Sequence, residues 1–151
     1  MKTDNKEFIA SIHEKFTTFK TLSAESGEGA AWETMVTGLK AEEQKRMAPF
    51  VAKSSLAEGF KIGIPFFASM GMEMDIVDIS NRGSDAALEI QKYCPYLEIS
   101  KEYGFETPCH IVCEMDIEAI RRAFPEMNGE ILARQAAGSS VCIFKYERPA
   151  K

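Results

Sequence analysis

The spacing of apolar residues changes along the chain, and this change limits the folds that the sequence can adopt. Before Gly71, apolar side chains recur every three or four residues, as they do on one face of an α-helix. After Gly71 they alternate with polar side chains, first from Met72 to Ile76 and again from Ala86 to Tyr93, as in a half-buried strand. The sequence therefore predicts a helical part followed by a part that contains β-hairpins.

The helical part begins with two amphipathic segments. Their apolar spacing predicts helices over residues 6–23 and 30–47. Pro49 follows the second of them, and proline fits the first turn of a helix because its missing N–H has no partner there. We therefore expect a third helix over 49–60.

A long apolar segment runs from Phe60 to Met72 and is interrupted by Gly63, Pro65 and Gly71. It contains more Phe, Ile and Met than one helix face needs. One interpretation is a broken helix that lines a pocket or a subunit contact, since methionine suits adaptable apolar surfaces. The alternative is a kinked helix buried in the core.

The second half reads as hairpin, helices, hairpin. Turn residues at 81–84 and 138–140 separate alternating segments, which predicts two hairpins. A short helix is expected over 95–103, with Gly104 as its C-cap. A longer helix is expected over 108–124, because its apolar residues recur with helical spacing and Pro108 suits a first turn.

This order predicts an α+β fold. We expect one domain over residues 1–151, with a helical part at 1–70 and a hairpin–helix–hairpin part at 71–151. The two hairpins would form an antiparallel sheet of about four strands with helices packed on one face.

Composition narrows the classes of partner. The formal net charge of −5 argues against binding to nucleic acid or to anionic membranes. No apolar stretch is long enough to span a bilayer, and the polar start of the sequence does not have the form of a signal peptide. We therefore expect a cytoplasmic protein, in which thiols are normally reduced.

All four cysteines lie after residue 93, and this clustering predicts one shared site. Cys109 and Cys113 are four residues apart, so they share one face of the predicted helix, and Asp116 lies one turn beyond Cys113. Cys94 and Cys142 lie at predicted strand ends, from which they can approach the helical pair.

Several roles remain open for these thiols. Four sulfurs from Cys94, Cys109, Cys113 and Cys142 would suit zinc or an iron–sulfur cluster. A deprotonated Cys109 or Cys113 would instead be a nucleophile, with Asp116 or Glu114 carrying protons. Inert buried thiols are an equally ordinary outcome, and a disulfide is disfavoured by the expected compartment.

The C-terminal half also resembles a known family, the L-2-amino-thiazoline-4-carboxylic acid hydrolases. The resemblance covers about residues 72–147. It rests on Cys94-Pro95-Tyr96, Gly104, Cys109, Cys113 with Asp116, Gly138, and Cys142-Ile143-Phe144-Lys145-Tyr146. The arrangement of thiols is also similar to that of vinyl-reductase-type ligand-binding domains, some of which hold zinc.

The family resemblance implies hydrolysis of a C–N bond in a small cyclic amidine, with the opening of a thiazoline ring. For such an enzyme we expect the site at Cys94, Cys109, Cys113 and Cys142, with a metal that activates water or with a thiolate nucleophile, and with Asp116 or Glu114 as the proton carrier. Two alternatives come from other classes. One is a non-enzymatic module that binds a metal and a small molecule, and the other is a structural homodimer.

Overall fold

The computed structural model describes residues 3–151 and has an α+β architecture, which confirms the predicted fold class. Three long helices come first, and a four-stranded sheet with two further helices follows. The helices are α1 (Lys6–Ser26), α2 (Glu28–Val51), α3 (Leu56–Ser69), α4 (Tyr96–Ser100) and α5 (Cys113–Ala123). The strands are β1 (Met74–Asp78), β2 (Ser84–Gln91), β3 (Asn128–Ala133) and β4 (Cys142–Pro149).

The sheet is antiparallel throughout, with the strand order β1-β2-β4-β3. Each predicted hairpin forms, and the two hairpins join through β2 and β4 at the centre. In that central pair Ala87 lies opposite Tyr146, Glu89 opposite Phe144 and Gln91 opposite Cys142. Because side chains alternate along a strand, these residues share one face of the sheet.

The helices pack against this face, as predicted. Buried residues of α2 and α3 meet buried residues of the sheet in one core cluster, which includes Leu56, Phe60, Ala87 and Phe144. Gly59 allows α3 to approach α2 closely, because a Cβ at this position would collide with the backbone of Phe50. Helices α2 and α3 therefore pack tightly against each other near Gly59.

The predicted helix over 49–60 is wrong. Helix α2 continues through Pro49 to Val51, and α3 begins only at Leu56, where the Ser55 side chain accepts a hydrogen bond from the Glu58 N–H at 3.1 Å. Pro49 costs α2 one backbone hydrogen bond. The burial of Val51 and the packing of Phe50 against the core offset that loss.

The long helix of the second half begins later than predicted. Residues 108–112 form a turn, in which the Val112 N–H donates to the Pro108 carbonyl at 2.9 Å, and α5 starts at Cys113. Ile111 and Val112 are both β-branched and both buried, which lowers the preference of this stretch for a regular helix. Cys109 therefore lies in a turn and Cys113 at the helix N-terminus.

A buried ion pair joins the central strands to the loop between α2 and α3. Arg148 Nε donates to Asp85 Oδ2 at 2.7 Å, and both side chains are almost fully buried. The Arg148 guanidinium also donates to the carbonyls of Val51 and Lys53. Asp85 Oδ1 accepts the N–H of Leu56 at 3.0 Å. Every strong hydrogen-bonding group of this pair is thus engaged.

Candidate functional site: a cavity between the helices and the sheet

A cavity of about 610 Å³ lies between the helical layer and the covered face of the sheet. Residues of α1, α2, α3 and α5 line it from one side, and residues of β1, β2 and β4 line it from the other. Pockets of this volume are of the size that takes a small organic molecule. Within residues 3–151, no helix is both long and apolar enough to span a membrane.

Part of the cavity wall is apolar and rich in methionine and phenylalanine. The segment from Phe60 to Met74 supplies much of it, through Phe60, Phe66, Phe67, Met70, Met72 and Met74. The cavity lining therefore favours the pocket interpretation of this segment over that of a kinked helix buried in the core. Helix α3 is continuous through Pro65, and Phe66 remains 56% exposed. The proposed subunit contact of this segment stays a prediction.

The sheet contributes a carboxylate to the cavity. Glu89 of β2 lines it, and its Oε1 accepts a hydrogen bond from Gln91 Nε2 at 2.7 Å. Burial raises the pKa of Glu89, and the nearby Asp116 and Glu43 raise it further, whereas the Gln91 contact and Arg46 lower it. The side chain is thus held in the interior at a raised pKa, which is the condition expected of a general base or acid.

Helix α2 contributes a second carboxylate. Glu43 is only 3% exposed and lines the cavity, and its Oε1 accepts a hydrogen bond from Arg46. Burial raises the pKa of Glu43, and the Arg46 contact partly opposes that shift. The helix turns this acid toward the sheet because Val36 and Val51 on the same element are also buried.

A third carboxylate is neutralised by a lysine. Asp116 of α5 lines the cavity and accepts a hydrogen bond from Lys15 Nζ of α1 at 2.9 Å. Both side chains are partly buried, and the pair links two helices across the cavity wall. Asp116 is therefore at the cavity, as a proton carrier would be.

Cys109 and Cys113 form a hydrogen-bonded thiol pair. The Cys113 thiol donates to Cys109, which lowers the pKa of Cys109 to about 6, against the effect of burial. The Arg134 guanidinium and the Thr107 hydroxyl also favour the Cys109 thiolate. The pKa of Cys113 is raised well above its ordinary value by the same hydrogen bond and by burial. Cys113 lines the cavity, whereas Cys109 is not part of its lining.

The other two cysteines, Cys94 and Cys142, both line the cavity. Burial raises the pKa of Cys94 to about 11, although backbone N–H groups of Leu97 and Tyr96 donate to its sulfur. Cys142 accepts the N–H of Gln135 at 3.3 Å, and burial raises its pKa as well. The charges of Cys142 and Cys109 each raise the pKa of Cys94, so these three thiols lie near one another.

The four cysteines are the metal ligands expected from the sequence. Across the described residues, no group of three or more His, Cys, Asp or Glu side chains is placed to hold a metal ion. Zinc or iron–sulfur binding by Cys94, Cys109, Cys113 and Cys142 stays a prediction.

Cys109 should be the first thiol to be alkylated. Thiolates are the reactive form, so the iodoacetamide rate at Cys109 should rise through about pH 6 and then level off. Replacing Cys113 with alanine removes the donated hydrogen bond and should move this midpoint upward. Replacing the exposed Ser139 with alanine is the control. Peptide mapping by mass spectrometry measures the rate at each cysteine, and an unchanged midpoint in the Cys113→Ala protein would contradict this assignment.

Sequence reasoning missed Glu89, Glu43, Arg46 and Lys15 as cavity residues. The apolar alternation in β2, Leu88 and Ile90, lies on the opposite face of the sheet from Glu89. The sequence contained one signal, which is that Glu89 and Gln91 lie on the same face of β2 as Ala87. Polar side chains on a core-facing strand are costly unless they have hydrogen-bond partners.

An antiparallel sheet covered by helices on one face, with a cavity between the two layers, defines a class of α+β protein. The sequence places the chain within that class. It belongs to the L-2-amino-thiazoline-4-carboxylic acid hydrolase family, whose model matches residues 6–146.

The fold is also similar to that of a solved structure, the phenol-responsive sensory domain of the transcription activator PoxR with phenol. The TM-score is 0.54 at 13% identity, and the match covers 93% of this chain and 74% of that chain. At this identity the likeness concerns the fold. No curated protein sequence matches the chain.

Proposed function

We propose that this protein binds a small cyclic amidine in the cavity and hydrolyses a ring C–N bond. The observation that carries the proposal is the carboxylate of Glu89, held at a raised pKa inside a cavity of about 610 Å³. The family name supplies the reaction class, because 2-amino-thiazoline-4-carboxylic acid is itself a cyclic amidine.

The chemistry requires a base and a proton donor. Water adds to the amidine carbon, and Glu89 accepts the proton that the water loses. The tetrahedral adduct then collapses to a carbonyl, its ring C–N bond breaks, and the departing nitrogen takes up a proton to become an amine. Asp116, paired with Lys15 at 2.9 Å, is the second group at the cavity that can pass protons.

The thiols fit this scheme as part of the wall rather than as the nucleophile. Cys94, Cys113 and Cys142 line the cavity, and the pKa of each is raised by burial or by a donated hydrogen bond. Cys109 has the lowered pKa but does not line the cavity. A water activated by a carboxylate is therefore favoured over a thiolate.

The test is direct. The purified protein is incubated with 2-amino-thiazoline-4-carboxylic acid, and the ring-opened product, heavier by one water, is followed by mass spectrometry. We expect many turnovers per protein molecule, above the rate in a sample denatured by heat. Binding without any turnover would overturn the hydrolase proposal.

A second function is favoured by one observation. The apolar wall from Phe60 to Met74 suits an aromatic ligand, and the solved structure that shares this fold contains phenol. On this reading the protein is a binding module that holds a small molecule without changing it. Saturable binding of phenol, with the phenol recovered intact, would support it.

A further inference from the structure

Among the described residues, only one of the two carboxylate oxygens of Glu43 has a hydrogen-bond partner. Its Oε1 accepts a hydrogen bond from Arg46, but its Oε2 is buried and has no hydrogen-bond partner among the described residues. The whole residue is 3% exposed and lines the cavity. A buried carboxylate oxygen without a donor is costly, so a native structure that retains one calls for an explanation.

The two basic side chains of the cavity lining are already engaged. Arg46 donates to Glu43 Oε1, and Lys15 is paired with Asp116. Five acidic side chains line the cavity against these two basic ones, counted over the described residues. The wall therefore has an excess of negative charge, and Glu89 and Glu43 are close enough for the charge of Glu43 to act on Glu89.

The remaining wall suits the uncharged part of a ligand. Phe60 packs edge-to-face on Tyr146 with ring centroids 5.1 Å apart, and both rings line the cavity. Aromatic faces attract cations as well as apolar groups. Methionines from α2, from the turn between α3 and β1, and from β1 complete this wall and can adapt to the outline of a ligand.

We propose that the cavity selects a ligand by a cationic N–H group, such as an amidinium, that donates to Glu43 Oε2 and Glu89. The ligand body packs against the methionine and phenylalanine wall. This inference rests on the proposed function for the choice of cavity. Beyond that function, it specifies the charge of the ligand's N–H group and the residue that recognises it. Glu43 is then a specificity-determining residue.

The experiment compares two probes of nearly the same shape. Benzamidine is a cation at neutral pH and benzamide is neutral, and calorimetry measures the affinity of each. The wild-type protein should bind benzamidine at least about tenfold more tightly, the usual gain from a charge-assisted hydrogen bond. Glu43→Gln should remove most of that preference and leave benzamide affinity nearly unchanged, because the glutamine keeps the shape and an acceptor for Arg46.

Controls keep structural effects apart. Glu28→Gln, at an exposed position in the first turn of the same helix, should keep the wild-type preference. Circular dichroism checks that Glu43→Gln folds, and Glu89→Gln serves as a second variant that should also reduce the preference. Equal affinity for both probes, no binding of benzamidine, or an unchanged preference in Glu43→Gln would overturn the inference. Cation selectivity without ring opening would instead contradict only the hydrolase proposal.

Discussion

Replacing Arg148 with methionine should lower the free energy of unfolding by about 3–5 kcal/mol. The substitution leaves Asp85 charged, buried and without its partner, and it frees the carbonyls of Val51 and Lys53. The cost comes mainly from the uncompensated charge, because the methionine side chain itself packs well. Urea denaturation followed by circular dichroism measures the change.

A matched control separates burial from charge. Arg122 pairs with Glu33 and Glu118, but these side chains are partly exposed to water. Arg122→Met should therefore cost much less than Arg148→Met. Arg148→Met together with Asp85→Leu should recover part of the loss, since no lone charge remains. A loss below 1 kcal/mol for Arg148→Met alone would show that the buried pair is not a major source of stability.

Replacing Glu89 with glutamine should lower kcat for ring opening by about 10²–10⁴-fold, the range for loss of a general base. Glutamine keeps an acceptor for Gln91, so the local structure should persist. The wild-type rate should rise with pH through the raised pKa of Glu89, because the base must be ionised. Ring opening measured by mass spectrometry across pH tests both effects, with the exposed Glu130→Gln as control.

The thermal stability of the Glu89→Gln protein gives a second, separate test of the raised pKa. The pKa of Glu89 is raised in the folded state, so folding favours its protonated form, and stability falls as pH rises from the ordinary glutamate pKa through the raised one. Glu89→Gln cannot ionise and should melt at a higher temperature than the wild type at neutral pH. A lower melting point with unchanged kcat would assign Glu89 a structural role.

The order and type of most elements could be predicted because their signals are local. The spacing of Phe16 and Phe19 on α1, or the alternation around Ile76 on β1, depends only on neighbouring residues. Boundaries failed where packing opposed a local preference, as at Pro49 and at the turn before Cys113. Helix boundaries at such positions are set by tertiary packing.

The candidate site was harder to predict because its buried carboxylates violate the apolar periodicity from which the fold is predicted. A glutamate in a strand or helix is ordinarily a surface residue, so Glu43 carried no local signal of burial, and Glu89 carried only that of sharing a strand face with Ala87. The cysteines were conspicuous by clustering, yet only their neighbourhood, and not their role, followed from spacing. Residues that break the rule of apolar interiors are expected at functional sites.

The strand order has a consequence for how the chain assembles. Strand β4 lies at the centre of the sheet, yet it follows β1, β2 and β3 in the sequence. During synthesis β2 therefore remains an unprotected edge, and β3 has no neighbour at all, until residues 142–149 are available. Contacts between segments so distant in sequence are slow to form. The sheet face that lines the cavity is therefore completed last. Until then, the helices cover an incomplete sheet whose exposed strand edges can pair wrongly.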